Sequence, residues 1–275
     1  FKNIQRIFIT YENVAWENAL IFSIKKYKKD IKIIGYQHTV VPQASIGMFV
    51  NNVDFSFKPL PNIILTNGLV TKNIIEKYSN YPNNYVKSSC ALRFKKLNNV
   101  TIKKNKIKNI LVVLEGIPYV IKLIYVIKKF AIINKNYNII IRTHPVLPWT
   151  EIKNIINNKE NLNNISISEQ SPISEDFNKS DLCVYWGSAV CLDAIQNNIP
   201  VVHFDEGKYL SYDPLFELKE FKWLFTNEND LISIINEINN MDFTKYKILN
   251  NKAKLYINNY LHEIKKENLY KFINI

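Results

Sequence analysis

The run Arg142-Thr143-His144-Pro145 sets an imidazole at the end of an apolar stretch, Asn138 to Arg142, with a proline fixing the chain behind it. An imidazolium so placed can bind a phosphate or protonate a departing one, and Arg142 would add a second positive charge. A His-Pro pair also serves structural turns, so its meaning depends on what accompanies it. Further along, Asp181-Leu182-Cys183-Val184-Tyr185 runs into Trp186-Gly187-Ser188 and a helix-length segment to Asn197. Gly187 permits close approach of a phosphate, and a helix beginning at Ser188 would aim its free N–H groups and positive dipole end at an anion. The same pattern describes an ordinary capped strand-to-helix turn.

Other polar groups also stand just past apolar runs, where ligands gather in doubly wound sheets. They are Tyr11-Glu12-Asn13, Gln37-His38-Thr39, Glu115-Gly116 and Asp205, the last with Glu206-Gly207 beside it. Glu12 at a strand end could take the proton from an attacking hydroxyl, and His38 competes for that role. Glu17 reads as a helix-start carboxylate favoured by the dipole. Tyr212-Asp213-Pro214 reads as a turn.

These groups need a scaffold of strands, and the sequence supplies one. Apolar runs of strand length alternate with helix-length segments, which predicts an α/β architecture with parallel sheets. Strands are expected at Ile4–Thr10, Ile31–Tyr36 and Ile63–Thr66, with helices at Trp16–Tyr27 and Val70–Tyr78; Ser79 to Ser89 breaks the pattern. A polar stretch from Phe94 to Asn109 marks a domain boundary. Strands follow at Ile110–Leu114, Asn138–Arg142, Ile165–Ser168, Leu182–Tyr185 and Pro200–Phe204, with helices at Pro118–Asn134, Thr150–Asn157 and Ser188–Asn197. The expected division is residues 1–98, residues 99–245, and a long amphipathic helix over 246–275 packing across the junction. Three strands are fewer than a complete Rossmann-like domain, and the chain opens on Phe1, so missing N-terminal sequence is expected.

At 275 residues and 47% hydrophobic the chain has ample material for packed cores. Three cysteines with no metal-ligand spacing exclude a disulfide scaffold and point to a cytoplasmic setting. Ile117 to Ile133 is interrupted by Lys122, Lys128 and Lys129, which argues against a spanning helix. Residues 1–150 hold 23 Lys and Arg against 6 Asp and Glu, whereas residues 151–275 hold 13 against 18. The basic half suggests an anionic partner such as the inner membrane face, unless the lysines merely reflect AT-rich coding DNA. Its charges scatter rather than form a nucleic-acid motif. No phosphate loop, Gly-x-Gly-x-x-Gly, nucleophile elbow or zinc spacing occurs, so neither a metal nor a resident cofactor is expected.

Taken together, the His-Pro element, the Ser-Asp before a strand, Gly187-Ser188 and Pro200-Val201-Val202 resemble the C-terminal domain of GT-B glycosyltransferases. More narrowly, Glu115-Gly116, His144-Pro145 and Gly187-Ser188 are similar to the motifs of CMP-sugar enzymes, the bacterial sialyltransferases and Kdo transferases of capsule and lipopolysaccharide assembly. Leu114 stands where sialyltransferases often carry a second carboxylate, and Ala189 where a second serine is common. The resemblance implies two Rossmann-like domains with a cleft between them. It places Glu115 and Gly116 by the nucleotide, His144 and Ser188 on its phosphate, and Asp205 near the donor sugar or ribose. Tyr11-Glu12-Asn13 with Gly35-Tyr36-Gln37-His38 resembles an acceptor-domain pattern of surface-carbohydrate biosynthesis. The implied reaction transfers a sugar, a CMP-activated keto acid such as sialic acid or Kdo, from a nucleotide-sugar to a glycan or glycolipid acceptor without a metal. CDP-alditol polymer transfer, sugar-nucleotide epimerisation and basic nucleic-acid binding are the competing readings.

Overall fold

The computed structural model describes residues 4–93, 101–102, 104–156, 163–207 and 210–273. The fold is α/β, and the chain separates into two compact units. Unit 1 comprises Phe1–Lys96 with Leu255–Ile275, and unit 2 comprises Leu97–Lys254. Part of the polar boundary expected at Phe94 to Asn109 lies outside the described residues.

Unit 1 is built from β1 (Arg6–Thr10), α1 (Ala15–Tyr27), β2 (Lys32–Tyr36), α2 (Asn52–Phe57), β3 (Ile63–Thr66), α3 (Leu69–Lys77) and β4 (Val86–Ser88). Its four described strands are parallel and lie in chain order, β1-β2-β3-β4. β2 and β3 are almost wholly buried, as the continuous runs Ile33-Ile34 and Ile63-Ile64-Leu65 require of a parallel sheet. β4 falls in the stretch from Ser79 to Ser89 where the apolar pattern breaks; at three residues it is too short to show a period.

Unit 2 contains β5 (Asn109–Val113), α4 (Ile121–Ile133), β6 (Asn138–Arg142), α5 (Trp149–Ile156), β7 (Ile165–Ser168), α6 (Ile173–Lys179), β8 (Leu182–Tyr185), α7 (Val190–Gln196), β9 (Val201–Phe204), β10 (Lys222–Phe225) and α8 (Glu228–Asn240). Among the described residues its six parallel strands run β10-β9-β8-β5-β6-β7, one more than the five expected, because Lys222–Phe225 adds an edge. This order reverses between β5 and β8, which is the switch point of a doubly wound domain. α4 buries Leu123, Ile124, Ile127, Phe130 and Ala131, one helical face, while Lys122 and Lys129 face solvent. The helix is thus buried along one stripe. Among the described residues no helix is long and apolar enough to cross a membrane.

The single C-terminal helix expected over 246–275 is in fact two, α9 (Phe243–Tyr260) and α10 (Lys266–Ile273). Within unit 1 the second half of this segment is tied to the sheet. The Tyr260 hydroxyl accepts from the Val41 amide at 3.0 Å, and His262 exchanges backbone bonds with Asn67 and Ala91. Phe272 packs edge-on to Tyr36, with centroids 5.5 Å apart. A Cβ on Gly68 would stand 2.4 Å from the Asn259 carbonyl oxygen, so only glycine lets the two backbones approach this closely.

Candidate functional site

Strand register gathers the polar groups of unit 2. Val113, Arg142, Tyr185 and His203 are aligned across β5, β6, β8 and β9. Two residues beyond that row on each strand lie Glu115, His144, Gly187 and Asp205, at the carboxyl ends where the strand order reverses. Four separate sequence motifs therefore share one edge of one sheet.

Glu115 bridges the switch point itself. Its Oε1 accepts from the Gly187 N–H at 2.5 Å, and its Oε2 is buried with no hydrogen-bond partner among the described residues. Burial pushes the carboxyl up to about 7, against the opposing pull of the backbone N–H groups of Gly187, Ser188 and Trp186. This revises the expected role of the Gly187-Ser188 turn. The helix begins at Val190 rather than Ser188 and has only seven residues, and the turn's amides already face a carboxylate of the chain itself. Ser188 is buried, its Oγ accepting from the Val190 N–H at 3.4 Å.

His144 is exposed and lies against Gly116. A tight turn, in which the Leu147 N–H reaches the His144 carbonyl at 2.9 Å, carries Pro145 and holds the ring. The Val146 N–H donates to Nδ1 at 3.2 Å, so the neutral ring carries its proton on Nε2. Nε2–H is thereby the group offered to a ligand. Gly116 makes room for it, since a Cβ there would lie 2.6 Å from His144 Nδ1.

Arg142 takes no part in this edge. Its guanidinium donates to Asp176 at 2.9 Å, to the Ser171 carbonyl at 2.6 Å and to Ser168 Oγ at 3.2 Å. Arg142, expected on the phosphate, is here paired through one guanidinium nitrogen with a carboxylate that is itself nearly buried. Asp205 accepts from the Gly207 N–H at 2.9 Å. Its neighbour Glu206 is the more engaged, with Oε2 accepting from the Tyr119 hydroxyl at 2.7 Å and from Lys122 at 3.3 Å.

Sequence reading overlooks the aromatic side of this edge. Trp186 is buried between Tyr119, at 5.1 Å between centroids, and Tyr212, at 4.8 Å. The signal available was an aromatic directly ahead of Gly187 and another ahead of Asp213-Pro214.

Unit 1 repeats the same construction. Thr10 and Tyr36 are aligned on β1 and β2, and two residues beyond them stand Glu12 and His38. His38 Nε2 is 3.8 Å from Glu12 Oε1, with side chains 27% and 40% exposed. The two candidate bases are thus one pair. Glu17 is buried and accepts from the backbone N–H groups of Glu12 and Val14, so it shapes the loop that presents Glu12.

No family model and no curated protein matches this chain. Solved structures do. TarM is similar over 90% of this chain and 51% of its own, with a TM-score of 0.57 at 16% identity. The pneumococcal O-GlcNAc transferase GtfA, in complex with UDP and GlcNAc, is similar over 91% of this chain and 53% of its own, with a TM-score of 0.50 at 9% identity. UDP-GlcNAc 2-epimerase of Methanocaldococcus jannaschii, in complex with UDP-GlcNAc and UDP, gives 0.55 at 14% identity, over 86% of this chain and 70% of its own. The chain spans about half the length of TarM and of GtfA. At such identities the likeness shows architecture, and the architecture is that of the GT-B fold.

Proposed function

We propose that this chain is the nucleotide-sugar-using part of a GT-B glycosyltransferase, with the nucleotide at the carboxyl edge of the unit 2 sheet. The observation that carries this reading is the row of Glu115, His144, Gly187 and Asp205 at the reversal of strand order, where doubly wound sheets bind nucleotides. In this reading the bond between the anomeric carbon and a phosphate oxygen breaks as an acceptor hydroxyl attacks. His144 Nε2–H stabilises the departing phosphate; within unit 1, Glu12 with His38 is the proposed base for a hydroxyl proton. Asp205, with Glu206 beside it, is the acidic group this reading assigns to the ribose or donor sugar. The motifs favour a cytidine-linked keto acid as donor and a surface glycan or glycolipid as acceptor, handled at the cytoplasmic face of an anionic membrane.

Binding of CMP and UDP by calorimetry, followed by release of free nucleotide from CMP-sugars, UDP-sugars and CDP-glycerol, tests the reading. Binding of CMP, weakened by His144→Ala, with sugar transfer from a CMP-keto acid, is the expected result. Binding of UDP alone would shift the donor to a UDP-sugar, CMP release from CDP-glycerol alone would replace glycosyl by alditol-phosphate transfer, and failure of both nucleotides to bind would refute the site. A second reading, sugar-nucleotide epimerisation, draws on the epimerase's shared fold. Isomerisation of a UDP-sugar with no transfer would establish it instead.

A further inference from the structure

Behind the aromatic side of the unit 2 edge lies a buried ionic cluster that the proposed chemistry does not use. Asp213 is 2% exposed, and both of its oxygens are engaged. Oδ1 accepts from the Tyr185 hydroxyl at 2.7 Å and from the Leu215 N–H at 2.8 Å, while Oδ2 accepts from Lys222 Nζ at 2.6 Å. The Lys222 side chain is only 7% exposed and donates also to the Leu215 carbonyl at 2.5 Å. A buried ion pair of this kind adds little stability over packed apolar residues of the same volume, so its merit lies in fixing one geometry. Here it fastens the segment around Asp213 to β8 through Tyr185 and to β10 through Lys222.

What that segment carries is Tyr212. Its Cβ lies 3.1 Å, and its carbonyl oxygen 3.3 Å, from where a Cβ on Gly187 would stand, and Glu115 Oε1 is 3.7 Å from the same point. One side of the Tyr212 ring leans on Trp186, yet the residue is 45% exposed. An aromatic backed by a buried tryptophan, with free surface beside the row of polar groups, is a stacking platform for a flat ring. We infer that Asp213 is a positioning residue whose ion pair with Lys222 holds Tyr212 as the wall on which the nucleobase of the donor stacks. The inference rests on the nucleotide reading given above and goes further by assigning the base-contacting residue and the device that holds it.

Titration of the chain with CMP and with UDP tests both parts. Tyr212→Ala is expected to weaken whichever nucleotide binds by about ten-fold with an unchanged melting temperature, and Tyr212→Phe to bind as the unmodified chain does. Asp213→Ala should weaken binding to the same degree at temperatures where it remains folded. Combining it with Tyr212→Ala should add nothing further, because the two act through one ring. The pair Asp213→Asn with Lys222→Gln, which keeps a hydrogen bond without charge, should restore affinity. Nucleotide affinity untouched by Tyr212→Ala, or independent additive losses from the two alanine variants, would overturn the inference. Absence of binding by the unmodified chain would instead overturn the nucleotide reading and take this one with it.

Discussion

Both units place polar side chains two residues past the last aligned row of a parallel sheet, yet they treat them differently. In unit 1 the row is loose: Glu12 and His38 are partly exposed and 3.8 Å apart. In unit 2 the row is built in, with Glu115 buried against the Gly187 amide and His144 held by the Val146 amide and fitted against Gly116. The strand orders account for much of this. The described strands of unit 1 follow chain order with no reversal, while those of unit 2 reverse between β5 and β8 and leave a crevice that side chains must line. One unit offers charge at a surface, and the other offers fixed donors in a shaped site.

Several substitutions would break or sharpen this contrast. The largest effect is expected behind the row: Asp176→Ala strands the Arg142 guanidinium and should cost about 4 kcal/mol in unfolding free energy, measured by urea denaturation. Arg142→Met should then leave nucleotide affinity unchanged in whatever fraction is folded; a large loss of affinity would return Arg142 to the phosphate. Next comes Glu115. Its folded carboxyl sits near 7, above the ordinary carboxylate value, so the folded state binds the proton more tightly than the unfolded chain. The stability this supplies is complete below about pH 4.5 and is lost as pH rises through 7, a change of about 3 kcal/mol. Glu115→Gln should flatten that part of the stability profile, and parallel profiles for the two proteins would show that the carboxyl is not the cause.

His144→Ala is expected to lower sugar transfer about 100-fold, within the range for loss of a general acid, while the melting temperature stays put. Gly116→Ala should act in the same direction, because the added methyl must displace the ring. The smallest effect belongs to unit 1. Breaking the Glu12–His38 pair by Glu12→Gln should change stability by less than about 1 kcal/mol, as for other exposed pairs. A loss of several kcal/mol there would mean that the unit 1 row is as closely built as its counterpart.

Periodicity alone located the longer strands, because buried parallel strands such as Asn109–Val113 and Leu182–Tyr185 are continuous apolar runs. It missed β4, which has three residues, and β10, where Lys222 and an exposed Leu224 disguise an edge. Glu115, His144 and Gly187 could be picked out as residues just past strands, but not the bond between Glu115 and Gly187, which depends on β5 and β8 being neighbours 72 residues apart in sequence. The pairing of Arg142 with Asp176 is hidden from the sequence for a related reason. Position after a strand says that a side chain is near an edge, while the direction in which it leaves the sheet depends on Asp176, which only the folded chain brings near. The aromatic side escapes any periodic reading because Tyr212 meets Trp186 through a turn with no period, and only the aromatics ahead of Gly187 and Asp213 hint at it.

The close passage of Gly68 against Asn259 and Tyr260 has a consequence for the order in which the chain takes shape. Residues 255–273 complete the same unit as β1 to β4, although they leave the ribosome after the whole of unit 2. Unit 2 lies wholly between those two parts of the chain and can close as soon as it emerges. At ordinary rates of synthesis the four early strands then wait on the order of ten seconds for the segment that covers them. Of the two units, the one begun earlier is thus the one finished later, and during that interval its apolar surface around Tyr36 is open to whatever holds nascent chains.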